Sequence, residues 1–84
     1  MQINKQDLIK IAREHVELPD DEDQIEYDSY DGNCSLTFYM DDFCHMRDNT
    51  VHYLTTVTFD GTTLYIEGME LESSKDSWWK KIEL

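Results

Sequence analysis

The chain has 84 residues and a mass of 10.0 kDa, with 19 acidic against 7 basic side chains, a formal net charge of −12 and a pI near 4.3. One domain is expected at this length, which excludes a TIM barrel, a full dinucleotide fold or two nested domains. Apolar residues at 39% and aromatics at 12% are too many for a disordered segment, and size scaling leaves about 5,200 Å² exposed after folding, enough burial for one modest core.

Asn4 is placed to cap a helix, with Asp7 in its first turn, where a negative charge suits the dipole. Ile3 and Leu8 have the spacing of a hydrophobic staple. Leu8, Ile11, Ala12, His15 and Val16 recur at three- and four-residue steps, so the spacing predicts a helix over about residues 5–17, ended by Pro19. Asp20 to Asp23 make an acidic loop. The period then becomes two: Ile25, Tyr27 and Ser29 alternate with Glu26, Asp28 and Tyr30, the pattern of a half-buried strand. Asp31-Gly32 signals a hairpin. Cys34, Leu36, Phe38 and Met40 alternate with Ser35, Thr37 and Tyr39. Asp41-Asp42 reads as a turn or bulge in this strand, which Phe43 to Arg47 resume, and Asp48-Asn49 as a tight turn. Val51 to Phe59 is a β-branched and aromatic strand. Asp60-Gly61 is a second hairpin signal, and Leu64 to Leu71 pairs back, with Gly68 a candidate bulge. Residues 73–76 turn the chain into a last strand or docking segment holding Trp78, Trp79, Ile82 and Leu84. Of the adjacent pair Trp78 and Trp79, one must point outward. The expected fold is α+β: one N-terminal helix packed on an antiparallel sheet of four to six strands, a two-layer sandwich over residues 1–84.

The charge is uneven. Residues 1–13 carry a net +2, whereas residues 14–46 hold eleven acids and no Lys or Arg. A sequence selected for solubility alone would intersperse both signs, so this window is the candidate functional surface.

The remaining chemistry is sparse. Cys34 and Cys44 are ten residues apart, and Cys44 and His45 are adjacent, so a strand points them to opposite faces; neither spacing suits a zinc site with His15 or His52. Cys34 falls in the apolar row and reads as a buried thiol. The Asp20–Asp23 run lacks the glycine and terminal glutamate of a calcium loop. Neither a phosphate loop nor a nucleophile elbow is present, and negative surroundings oppose a reactive thiolate. No catalytic residue, metal or cofactor is assigned. Direct binding to nucleic acid is opposed by the net charge. Met1 to Lys5 lacks the apolar core of a secretory leader and no run is long enough to cross a bilayer, so a cytoplasmic location with reduced thiols is expected.

A small, acidic, non-catalytic domain is expected to bind something basic. Strand residues on one face are about 6.8 Å apart, so carboxylates in a row suit a groove built for phosphates. Small proteins of phages and mobile elements that mimic nucleic acid, and so block nucleases, DNA glycosylases, restriction enzymes or CRISPR effectors, resemble this chain in size and acidity rather than in motif. The expected partner is a basic protein, a nucleic-acid-binding enzyme. The expected contact residues are Asp20, Asp21, Asp23, Glu26, Asp28, Asp31, Asp41 and Asp42, with Tyr30 and Tyr39 as aromatic anchors. An immunity protein or antitoxin for a basic toxin, or a small structural accessory subunit, is the alternative, and the chain itself is a monomer or homodimer.

Overall fold

A computed structural model describes residues 3–73 and 75–84. Met1, Gln2 and the Ser74 position of the expected turn at 73–76 lie outside the described residues. The element order is helix α1 (Lys5–Ala12), a 3-10 turn (Glu22–Gln24), and strands β1 (Glu26–Tyr30), β2 (Asn33–Cys44), β3 (Asn49–Phe59), β4 (Thr63–Glu70) and β5 (Trp78–Glu83). The strands form one antiparallel sheet in the order β1-β2-β3-β4-β5. The helix lies on one face of it, giving the expected α+β sandwich.

The helix begins as its sequence dictates. Asn4 Oδ1 accepts the Asp7 N–H at 2.8 Å, which satisfies one of the orphan donors of the first turn. It ends earlier than periodicity predicts, at Ala12 rather than near residue 17. Beyond Ala12 the backbone tightens: the His15 N–H reaches the Ala12 carbonyl at 3.0 Å. The Arg13 guanidinium also donates to the Pro19 carbonyl at 3.0 Å. This folded-back segment brings Leu18 and Pro19 into buried positions, which a continued helix would not do.

The hairpins follow their turn residues. Asp31 and Gly32 have φ of 46° and 81°, the two positive values a two-residue type I′ turn requires. Asp60 Oδ1 accepts the N–H groups of Thr62 at 3.0 Å and Thr63 at 2.8 Å, closing the β3–β4 connection and holding its own carboxyl below the usual range. Two expectations are corrected. Asp41-Asp42 neither turns nor bulges; both pair in register with β3, opposite His52 and Val51, because the flanking Met40 and Phe43 continue the alternation. The strand therefore runs unbroken to Cys44, and residues 45–48 form the turn, with Asp48 at φ 51°. Gly68 is not a bulge either. It pairs with Thr55 and Trp78, and a Cβ there would lie 2.4 Å from the Trp78 indole. The glycine makes room for the ring.

The core lies between α1 and the inner sheet face. Leu8, Ile9 and Ala12 meet Cys34, Leu36, Phe38, Val57, Phe59, Leu64 and Ile66, with Leu18 and Ile25 closing the sides. Each fully buried aliphatic or aromatic side chain contributes about 1.5–3 kcal/mol of transfer free energy. The Tyr27 hydroxyl donates to the Ile3 carbonyl and ties the first strand to the residues ahead of the helix. The molecule is elongated, 41 × 24 × 21 Å, because β2 and β3 are far longer than the eight-residue helix that covers them. At the uncovered end, buried Glu70 pairs with Arg47 at 2.5 Å and accepts the Asp76 N–H at 2.9 Å. Burial pushes the Glu70 carboxyl up, but the Arg47 guanidinium and the Asp76 N–H outweigh it and hold it below the usual range.

Candidate partner-binding surface

Ile25 is buried and Tyr27 half-buried toward the helix, so alternation sends Glu26, Asp28 and Tyr30 to the opposite, outer face. On β2 the same rule sends Ser35, Thr37, Tyr39, Asp41 and Phe43 outward. Strand β1 starts opposite Thr37, and β2 continues beyond it. The outer face thus carries a file of Tyr30, Asp28 and Glu26 on β1, continued by Tyr39 and Asp41 on β2. Steps within a strand are about 6.8 Å. Tyr39 is 68% exposed and Tyr30 48%.

The other expected contact residues are dispersed around this file. Asp31 sits in the β1–β2 turn. Asp20, Asp21 and Asp23 are exposed on the loop leading into β1, where Asp21 Oδ1 accepts the Asp23 N–H at 3.0 Å. Asp42 points to the inner face, so it does not join Asp41. There it borders a cleft of about 400 Å³ past the end of α1 with Met40, Tyr53, Trp78 and Lys80, and Asp41 reaches the rim of the same cleft from the strand edge. The Tyr53 hydroxyl in that cleft is pushed up by burial and by the negative charges of Asp76, Glu70 and Asp42.

Asp41 is not a free carboxylate. Its Oδ1 lies 2.6 Å from His52 Nδ1, and Glu72 Oε1 lies 3.7 Å from the other ring nitrogen. The Asp41 hydrogen bond and charge raise the His52 pKa above its ordinary value. Strand periodicity alone did not show this pairing; it follows from the register that sets residue 41 opposite residue 52.

The outer face also holds an apolar belt. Tyr39, Leu54 and Met69 are directly opposite one another across three strands, and Trp79 stands diagonal to Met69 at 74% exposure. The signal was in the alternation: Leu54, Met69 and Trp79 are out of phase with the core positions of their strands. Basic residues gather at the far side. Lys80 and Lys81 lie on β5; the Lys80 amine donates to the His15 carbonyl and the Lys81 amine is 5.9 Å from the Tyr65 ring centroid. The sheet therefore has an acidic β1 side and a more basic β5 side.

Among the described residues, no three His, Cys, Asp or Glu side chains gather at a common point to hold a metal. Cys34 is wholly buried with its Sγ toward the Phe59 carbonyl, while Cys44 Sγ lies 3.8 Å from Asp76 Oδ2. Among the described residues, no helix is long and apolar enough to cross a membrane. Compared with known protein families, curated proteins and solved structures, the chain matches none of them.

Proposed function

We propose that this protein is a non-catalytic inhibitor that occupies the basic nucleic-acid-binding site of a partner protein, presenting carboxylates where the partner expects phosphates. The observation that carries the reading is the outer file running Tyr30, Asp28, Glu26, Tyr39, Asp41, with two carboxylates between the tyrosines and a third beyond Tyr39. Two residues of strand, about 6.8 Å, equal two axial steps of about 3.4 Å along one nucleic-acid strand. The ladder fixes the backbone positions, and the Ser29 N–H on Asp28 Oδ1 and His52 Nδ1 on Asp41 Oδ1 hold two of the three carboxylates before binding, which lowers the ordering cost of association. The surrounding acids, Asp20, Asp21, Asp23 and Asp31, add a field that speeds encounter with a basic surface.

The test is a capture experiment on nuclease-treated lysate followed by competition. The expected partner is a nucleic-acid-binding protein whose nucleic acid is displaced competitively, with a steep dependence on salt. The triple variant Glu26→Gln, Asp28→Asn, Asp41→Asn is expected to bind more weakly and with a flatter salt dependence. Equal inhibition by that variant refutes mimicry. The belt of Tyr39, Leu54, Met69 and Trp79 favours a second reading, an accessory subunit docked through apolar contact; association insensitive to salt but lost in Leu54→Lys selects it.

A further inference from the structure

We infer that the overhanging edge of β2 takes up an extended, basic segment of the partner as an added strand. This rests on the reading of the acidic face as a partner surface only for the sign of the partner's charge. The backbone geometry is independent of it.

The Leu71 N–H donates to the His52 carbonyl at 2.9 Å, so the backbone groups of His52 face β4. Those of Val51, Tyr53 and Thr55 then face β2, where they meet Asp42, Met40 and Phe38. The backbone groups of Tyr39, Asp41 and Phe43 therefore point the other way, to the side where β1 has ended at Glu26. The Phe43 N–H is held by Asp42 Oδ1 at 2.9 Å. Among the described residues, no hydrogen bond reaches the N–H of Tyr39 or Asp41. All four residues Tyr39, Asp41, Asp42 and Phe43 are exposed. This is an unpaired strand edge of the kind that accepts a further strand.

Charge selects the occupant. Asp41 borders the edge on the outer face, Asp42 on the inner face and Glu26 at its near end. A second copy pairing edge to edge would bring its own Asp41 and Asp42 against these, and like charges across a ladder destabilise it. An extended segment with lysine or arginine at alternate positions meets Asp41 on one face while its backbone completes the ladder.

The test uses a capped heptapeptide alternating lysine and threonine. Its controls are the glutamate–threonine counterpart and a lysine–threonine version N-methylated along one edge, which keeps the charge but removes that edge's donors. Binding is followed at low ionic strength by amide hydrogen exchange in the intact protein. The lysine peptide is expected to slow exchange of the Tyr39 and Asp41 amides at least tenfold, and N-methylation to weaken binding at least tenfold. Equal binding of the N-methylated peptide overturns strand addition while leaving the acidic-face reading standing. Protection along β5 in place of Tyr39 and Asp41, or no binding of the lysine peptide, also overturns it. Equal binding of the glutamate peptide overturns the assignment of a basic occupant. Mimicry itself fails separately, through the carboxylate variant in the capture experiment.

Discussion

Replacing Gly68 by alanine gives the sharpest test of the packing. The new Cβ would lie 2.4 Å from Cε2 and Nε1 of Trp78 and 2.8 Å from Cζ2. Carbon contacts settle near 3.5–4.0 Å, so the indole must move by roughly 1 Å or swing off the sheet. Overpacking of this kind costs about 1–3 kcal/mol. Removing a strand glycine returns about 0.5–1 kcal/mol. The net expectation is a loss of up to about 2.5 kcal/mol, or a fall in Tm of up to about 20 °C for a domain of this size. The assay is thermal unfolding by circular dichroism, with tryptophan emission read in a Trp79→Phe background so that it reports the half-buried Trp78. In a Trp78→Ala background the obstruction is gone, and Gly68→Ala is expected to raise Tm. The two substitutions should thus be coupled, with the effect of the alanine changing sign. An equal loss of stability in both backgrounds would refute the idea that Gly68 exists to seat the indole.

Three further outcomes follow from the same geometry. Arg47→Met removes the partner of buried Glu70, so the variant is expected to unfold at lower urea concentration at pH 7. In the native protein the depressed Glu70 carboxyl contributes stability above the usual glutamate value of about 4.3, lost as pH falls through its folded value. Without Arg47 the upward push of burial on that carboxyl is less well opposed, so the gap between the two proteins should narrow as pH falls through and below the usual glutamate value of about 4.3; a gap that stays constant down to about pH 3 refutes the pairing. For His52, proton titration followed by NMR should give a midpoint above the usual value of about 6.5, moving back in Asp41→Asn. The stabilisation from that pair is complete below the usual value and is lost as pH rises through the folded one. Finally, a thiol reagent should label Cys44 in the native state and Cys34 only after unfolding; prompt labelling of both contradicts the buried position of Cys34.

The hairpins were legible because their determinants are local. Asp31-Gly32 and Asp60-Gly61 dictate backbone angles within four residues, and the alternation of Cys34, Leu36, Phe38 and Met40 fixes which face is buried. The end of α1 was not, because it depends on the Arg13 bond to the Pro19 carbonyl and on the burial of Leu18, both tertiary. Asp41-Asp42 misleads for a related reason. Two consecutive aspartates resemble turn chemistry, yet β3 offers a continuous partner and His52 a counter-charge, so pairing prevails over propensity. Of the candidate surface, Tyr30 and Tyr39 could be placed outward from alternation alone. That Asp42 parts from Asp41 needed only the same rule once the strand was known to continue. The outward phase of Leu54, Met69 and Trp79 was in the same alternation, whereas their alignment with Tyr39 into one belt depended on inter-strand register, which no single strand encodes.

In the sheet, order in space equals order along the chain. Successive strands are joined by loops of two, four, three and seven residues. Closing such short loops costs little chain entropy, and the cost grows only with the logarithm of loop length. Each strand can therefore add to the one made just before it, without waiting for a distant segment to return, which favours fast assembly for a sheet protein. Among the described elements α1 is the one that packs across strands distant from it in sequence. Isolated from residues 1–25, the strands would retain their turns but expose Leu36, Phe38, Val57 and Ile66, so the helix acts as the step that converts a string of hairpins into a single cooperative structure.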